Sequence, residues 1–126
     1  DVYKRQREQR ALVVDGVKKL HKQQVSASQL AEGWKDVPLP LLFDWFCDWA
    51  QLILRYQLTQ DERGLGPTDM AKVVQYLAQK AAQQKVLSIQ EWLLQQRQKV
   101  LGNANLNRVL LLEALLVQWA SLPGPG

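Results

Sequence analysis

The sequence predicts an all-α fold, a compact helical bundle of about five to six helices. Three observations carry that prediction. No stretch sustains the alternation of a strand, and no Asn-Gly or Asp-Gly hairpin turn is present. Good helix formers, Gln, Leu, Ala and Lys, dominate the chain. Apolar residues recur at helical spacing between capping signals and Gly or Pro stops. The 126 residues fit one domain. Residues 1–122 are expected to form its helical body and 123–126 a disordered tail.

The first helix is expected over about Val2–Gln24. Val13, Val14, Val17 and Leu20 form its apolar stripe, and Gly16 weakens it locally. The part before Ala11 is polar nearly all round and is expected to stand clear of the core. Ser26 and Gln29 have capping-box spacing and open a short helix carrying Leu30, Ala31 and Trp34. Pro38 and Pro40 suit the first turn of the next helix, Pro40–Leu58, because the N–H that proline lacks is unpaired there in any case. Its polar residues Asp44, Asp48, Gln51 and Arg55 make one narrow stripe; the rest is apolar, so this helix is the expected centre.

Residues 59–67 form the longest polar loop. Pro67, Thr68 and Asp69 are expected to start a helix whose face is Met70, Val73, Val74, Leu77 and Ala81. Residues 81–85 are ambiguous and include a possible break. Ser88 and Glu91 match a second capping box, expected to open a helix that ends at Gly102 in a left-handed cap. Asn105 or Asn107 caps the last helix, which runs to about Leu122 and is apolar on nearly every side. Residues 91–119 thus read as an αα-hairpin. A helix with so little polar surface is either central to the core or given to a partner.

Composition removes several functional classes. One Cys and one His allow no internal disulfide and no structural zinc site, and an unpaired thiol fits a reducing, cytoplasmic setting. The start is polar and does not begin with Met, so no signal peptide is expected; it reads as a piece of a longer protein or an artificial boundary. The apolar run Pro38–Leu58 contains Asp44, Asp48 and Arg55, which are costly in lipid, and no membrane association is expected. The net charge is +4. Residues 1–24 hold seven basic and three acidic groups, and the rest holds nine of each, so the whole excess lies on the first segment.

Candidate chemistry is weak throughout. Asp44 and Asp48, one turn apart, have no His or third ligand nearby and read as a solvated stripe. His21 reads as a solvated surface residue in a Lys-rich turn. Cys47 reads as a small buried hydrophobe. Asn103, Asn105 and Asn107 alternate like a calcium loop, but that loop needs Gly where Arg108 stands and Glu where Ala114 stands; helix capping explains them. Ser26–Trp34 fails as part of a helix-turn-helix because the following helix is apolar. No Gly-rich phosphate loop is present, and no cofactor is expected. The basic residues Lys4, Arg5, Arg7, Arg10, Lys18 and Lys19 are possible phosphate contacts, which makes a helical nucleic-acid-binding appendage the alternative reading. Interleaved aromatics, the mark of a single-strand binder, are missing from that segment.

The run Gly102-Asn-Ala-Asn-Leu-Asn107-Arg108-Val-Leu-Leu-Leu-Glu113-Ala-Leu-Leu resembles the C-terminal end of the delta prime family of bacterial DNA polymerase III. Trp34, the entry Pro40-Leu-Leu-Phe-Asp-Trp-Phe46 and Glu91-Trp-Leu-Leu fit the same pattern, so the resemblance covers the whole chain as a C-terminal domain. It implies a non-catalytic collar domain in a clamp loader, the assembly that places the sliding clamp on primed DNA. The implied partners are the C-terminal domains of the gamma/tau and delta subunits, with the clamp and primed DNA met only through the full complex. In that family ATP hydrolysis resides in other subunits, and no catalytic residue transfers to this chain. Trp92, Arg97, Asn105, Arg108, Glu113 and Trp119 are the residues expected at contacts between subunits or in the fold of the contact helices.

Overall fold

The computed structural model describes residues 1–102 and 105–124. It contains α1 (Val2–His21), α2 (Ala27–Gly33), α3 (Leu39–Thr59), α4 (Ala71–Lys80), α5 (Gln83–Leu101) and α6 (Arg108–Ala120), with one short 3-10 turn at Glu62–Gly64. There is no strand among the described residues. α3 is the hub: α5 and α4 pack along it, while α6 lies mainly on α2.

α3 is central because it is apolar on three sides. Leu42, Phe43, Trp45, Phe46, Trp49, Ala50, Ile53 and Tyr56 are buried, and Asp48, Gln51 and Arg55 face water as the narrow stripe predicts. Phe46 meets the rings of Trp49 and Trp119 edge-on at 4.9 Å, and Trp34 lies 6.2 Å away. Aromatic edges carry positive and faces negative charge density, so these T-shaped pairs add to the burial they already provide. One ring thus gathers residues from α3, α6 and the end of α2.

The local signals act where they are satisfied. The Ser26 hydroxyl accepts from the Gln29 N–H, and the Gln29 side chain accepts from the Ser26 N–H, completing the capping box of α2. Asn107 caps α6 by accepting from the Leu110 N–H at 3.1 Å. α1 ends sooner than expected, at His21, and α6 stops at Ala120, after which Leu122 still enters the core.

Three expectations are corrected. The second capping box is not used: α5 begins at Gln83 and runs straight through Ser88, which is exposed. Val86, Ile89 and Leu93 form one continuous buried stripe across that position, and burial of the stripe outweighs a single local cap. The break instead falls at Ala81, where Gln57 of α3 donates to the carbonyls of Ala78 and Ala81. Gly102 is not left-handed; its φ is −81°. Asp69 does not start α4, which begins at Ala71 after a tight turn, because its carboxylate is taken by Arg10 of α1. The corner of the αα-hairpin includes residues 103 and 104, and the tail residues 125 and 126; these lie outside the described residues. The hairpin's open end is bridged by Lys85, which donates to the Ser121 carbonyl. Pro123 and Gly124 continue the turn after α6, with the Gly124 N–H donating to Ser121 at 3.0 Å.

Gly16 does more than loosen α1. A Cβ there would stand 2.8 Å from Leu30 Cδ2 and 2.9 Å from Trp34 Cζ2, so α2 and Trp34 seat against bare backbone. Alanine is preferred over glycine in a helix by about 1 kcal/mol, but overpacking costs about 1–3 kcal/mol. Trp34 is fully buried and has no room to yield. Gly16→Ala is therefore expected to lower the urea midpoint, with a net loss of about 1 kcal/mol; a gain in stability would show that Trp34 does not rest on α1.

Candidate interaction surfaces

α6 explains how one helix can be apolar on nearly every side. Its inner face, Leu112, Leu115, Leu116 and Trp119, is buried. Directly opposite, Leu110, Ala114 and Val117 share an arc of about 60° at 100° per residue and face outward. Leu110 is 62% and Val117 60% exposed, with Val109 also exposed beside them. Single exposed apolar residues need no explanation, but a whole uninterrupted helix face does. α5 carries a narrower exposed row at the edge of its buried face, with Gln84, Ser88, Glu91 and Gln95 on the far side. Val86, Ile89, Leu93 and Val100 point inward, and Leu87, Leu94 and Leu101, seven residues apart, point outward.

The residues singled out from the sequence fall into different roles. Arg97 donates to Asp44 at 2.7 Å, joining α5 to α3 beside the exposed Leu94. Both partners are well solvated, so water screens the pair and it adds little to stability. Trp92 is half-buried, with its ring 6.5 Å from that of Phe43. Asn105 is exposed, and Glu113 is half-buried at the margin of the outer α6 face. Trp119 is 0% exposed and belongs to the scaffold of the contact helices; it has no surface to offer a partner.

Arg108 is also turned inward. Its Nη2 donates to the Trp34 carbonyl at 2.7 Å and to the Val37 carbonyl, fastening the start of α6 to the turn between α2 and α3. Burial pushes its pKa down, and Asp36 nearby opposes that shift. Its partners are therefore backbone carbonyls rather than Glu113.

The basic residues divide as well. Arg10 makes a bidentate pair with Asp69, at 2.7 and 3.1 Å, and its guanidinium lies over Trp45 and Trp49 at 5.8 and 5.5 Å. Lys19 pairs with Asp15 at 2.9 Å. Lys4, Arg5, Arg7 and Lys18 stay exposed. His21 is half-buried rather than solvated, because the ring of Tyr76 from α4 covers it at 6.3 Å; burial lowers its pKa. Cys47 is half-buried, and burial raises its thiol pKa, which disfavours the nucleophilic thiolate. No cluster of metal-ligating side chains occurs among the described residues, and no helix among them is long and apolar enough to cross a membrane.

Sequence reasoning missed the outer stripes as sites. Leu87, Leu94 and Leu101 recur every seven residues, a signal present in the sequence. Leu110 and Val117 were hidden because α6 is apolar in nearly every direction.

Comparison with known proteins accounts for most of the chain. The family model described as DNA polymerase III, delta subunit, C terminal, matches residues 4–121. The chain is 77% identical over 120 residues to DNA polymerase III subunit delta' of Pseudomonas aeruginosa. That match takes in 95% of this chain but only 37% of the relative, so the chain spans little more than a third of that protein's length. No solved structure matches significantly.

Two expected outcomes follow from the buried polar contacts. Arg108→Met removes both donations while keeping an apolar stem, leaving two turn carbonyls without that partner. Chemical denaturation should show a loss of about 2–3 kcal/mol. Arg10 holds the Asp69 carboxyl below its ordinary pKa, so this pair's stabilisation is complete above the unfolded value of about 3.9 and fades as pH falls through the lowered folded value. Relative to Asp69→Asn, the wild-type advantage measured by urea melts should be about 1 kcal/mol at pH 7, after allowing for partial solvation, and should shrink as pH falls below the ordinary carboxylate range.

Proposed function

Because the chain belongs to the family of C-terminal domains from the delta subunits of DNA polymerase III, we propose that it is the non-catalytic collar domain of a delta prime subunit, acting in the cytoplasm. It joins its clamp loader by packing against the C-terminal domains of neighbouring subunits, gamma/tau and delta. ATP hydrolysis belongs to other subunits, and the clamp and primed DNA are reached through the complete loader.

The observation that carries this reading is the outer face of α6. Leu110, Ala114 and Val117 form an apolar surface opposite an equally apolar buried face, which is the pattern of a helix shared between its own core and a neighbour. The α5 stripe provides a second surface. Two different faces suit a subunit flanked on both sides, since head-to-tail packing uses a different patch toward each neighbour. The accessible surface is 7510 Å². Two standard interfaces of about 800 Å² per partner would cover roughly a fifth of it. Arg97 borders the α5 stripe, Trp92 packs on Phe43 from the other side of α5, Glu113 borders the α6 stripe, and Asn105 lies just before the Asn107 cap. Arg108 and Trp119 serve the same surfaces from within by fixing the position of α6.

Size-exclusion chromatography of this chain mixed with the C-terminal domains of the other loader subunits tests the reading. Co-elution at micromolar concentration is expected. Leu110→Glu with Val117→Glu on α6, or Leu87→Glu with Leu94→Glu on α5, should each weaken assembly at least tenfold, because a charge must then be desolvated at the contact. All four side chains are exposed, so the helical content should be unchanged. Failure of the wild type to co-elute, or unaltered assembly by both double variants, would count against the collar role.

A further inference from the structure

Away from both apolar stripes, α1 and α4 enclose an open cleft of about 650 Å³. Lys18, His21 and the C-cap residue Lys22 line it from α1 and its end, and Lys72 and Tyr76 from α4. It continues along α1 into a groove that includes Arg7 and shares Lys18 and Asp69 with it. On α1, Lys4, Arg7 and Lys18 fall within an arc of about 60°, and with Lys22 at the C-cap they span about 27 Å at 1.5 Å per residue.

The charge along this track is one-sided. Its two carboxylates each hold a cation of their own: Asp69 binds Arg10, and Asp15 binds Lys19. Arg7, Lys18, Lys22 and Lys72 form no ion pair among the described residues and remain exposed. Four unbridged cations thus face one groove whose two carboxylates are already engaged by Arg10 and Lys19. Tyr76 adds an aromatic ring, 43% exposed, between these lysines, and His21 meets it at 63° and 6.3 Å on its covered side. The aromatic missing from the basic segment of the sequence is therefore supplied by a second helix.

We infer that the α1–α4 cleft binds single-stranded nucleic acid, with Arg7, Lys18, Lys22 and Lys72 on the phosphates and Tyr76 stacking on a base. A cationic groove with an aromatic stacking platform is the combination that holds single strands without sequence preference. An acidic peptide would satisfy the lysines but has no base to place on Tyr76. This site is independent of the collar reading, since it uses neither apolar stripe.

Fluorescence anisotropy of labelled dT20, titrated with the 126-residue chain at 50 to 200 mM salt, tests it. Four neutralised phosphates predict a log–log salt slope of about −3. The triple variant Lys18→Ala, Lys22→Ala, Lys72→Ala should lower affinity at least tenfold at 50 mM salt and flatten the slope toward −1, allowing about one remaining phosphate contact. Tyr76→Ala should lower affinity about tenfold with the slope unchanged, as expected for a lost stacking contact. Lys72→Glu alone should cost at least fivefold and serves as the second variant if the triple variant loses helicity. A control removing two lysines elsewhere, Lys80→Ala with Lys99→Ala, should change affinity less than twofold. Absence of dT20 binding at 50 mM salt overturns the inference, as does a control that weakens binding as much as the triple variant. Undiminished binding by Tyr76→Ala overturns it too. So does more effective displacement of dT20 by unlabelled duplex, or by phosphatidylcholine vesicles with 30% phosphatidylserine, at equal phosphate concentration.

Discussion

The edge-on packing of Phe46 against Trp49 and Trp119 is the contact on which the rest of the molecule depends. α3 is too apolar to stand at a surface, so it must be covered along most of its girth. α4 and α5 cover two sides by direct helix packing. The third is closed by Trp34 and Trp119, rings from distant parts of the chain that converge on Phe46. Gly16 allows Trp34 to sit close to α1, and Arg108 ties the carbonyls beside Trp34 to the helix that delivers Trp119. A change at any of these positions reaches the others through that ring cluster.

Much of this was legible in the chain because period and end signals agreed. The Asp44, Asp48, Gln51, Arg55 stripe located the single wet face of α3, and Ser26 and Asn107 marked true helix starts. Legibility failed where a local signal competed with burial. Ser88 is a sound cap by type and spacing, yet Val86, Ile89 and Leu93 place it inside a helix. It failed again where the partner is remote. Nothing near Arg108 in sequence shows that it reaches carbonyls more than 70 residues away. Nor does the sequence near His21 show that Tyr76 covers it.

The surfaces were legible to different degrees for the same reason. Periodicity separates inside from outside only when one side is polar, and α6 offers no such contrast. Its Leu and Val residues announce burial without saying by what. The basic segment announced charge, but Asp69 and Asp15 had to be located in space before the paired cations could be told from the free ones. Arg10, the most interior of the group, works as a bracket between α1 and the turn before α4. The exposed remainder is a smaller and better defined patch.

The outward face of α6 exists only while its inward face is docked. Thirteen residues are too few to hold a helix unaided in water. Docking also closes a loop of some 70 residues between Trp34 and Arg108, and contacts of such sequence separation form against a substantial entropy cost. The row Leu110, Ala114, Val117 therefore acts as a certificate of maturity. A chain whose aromatic centre is incomplete cannot display it, so assembly competence and completed folding become one event.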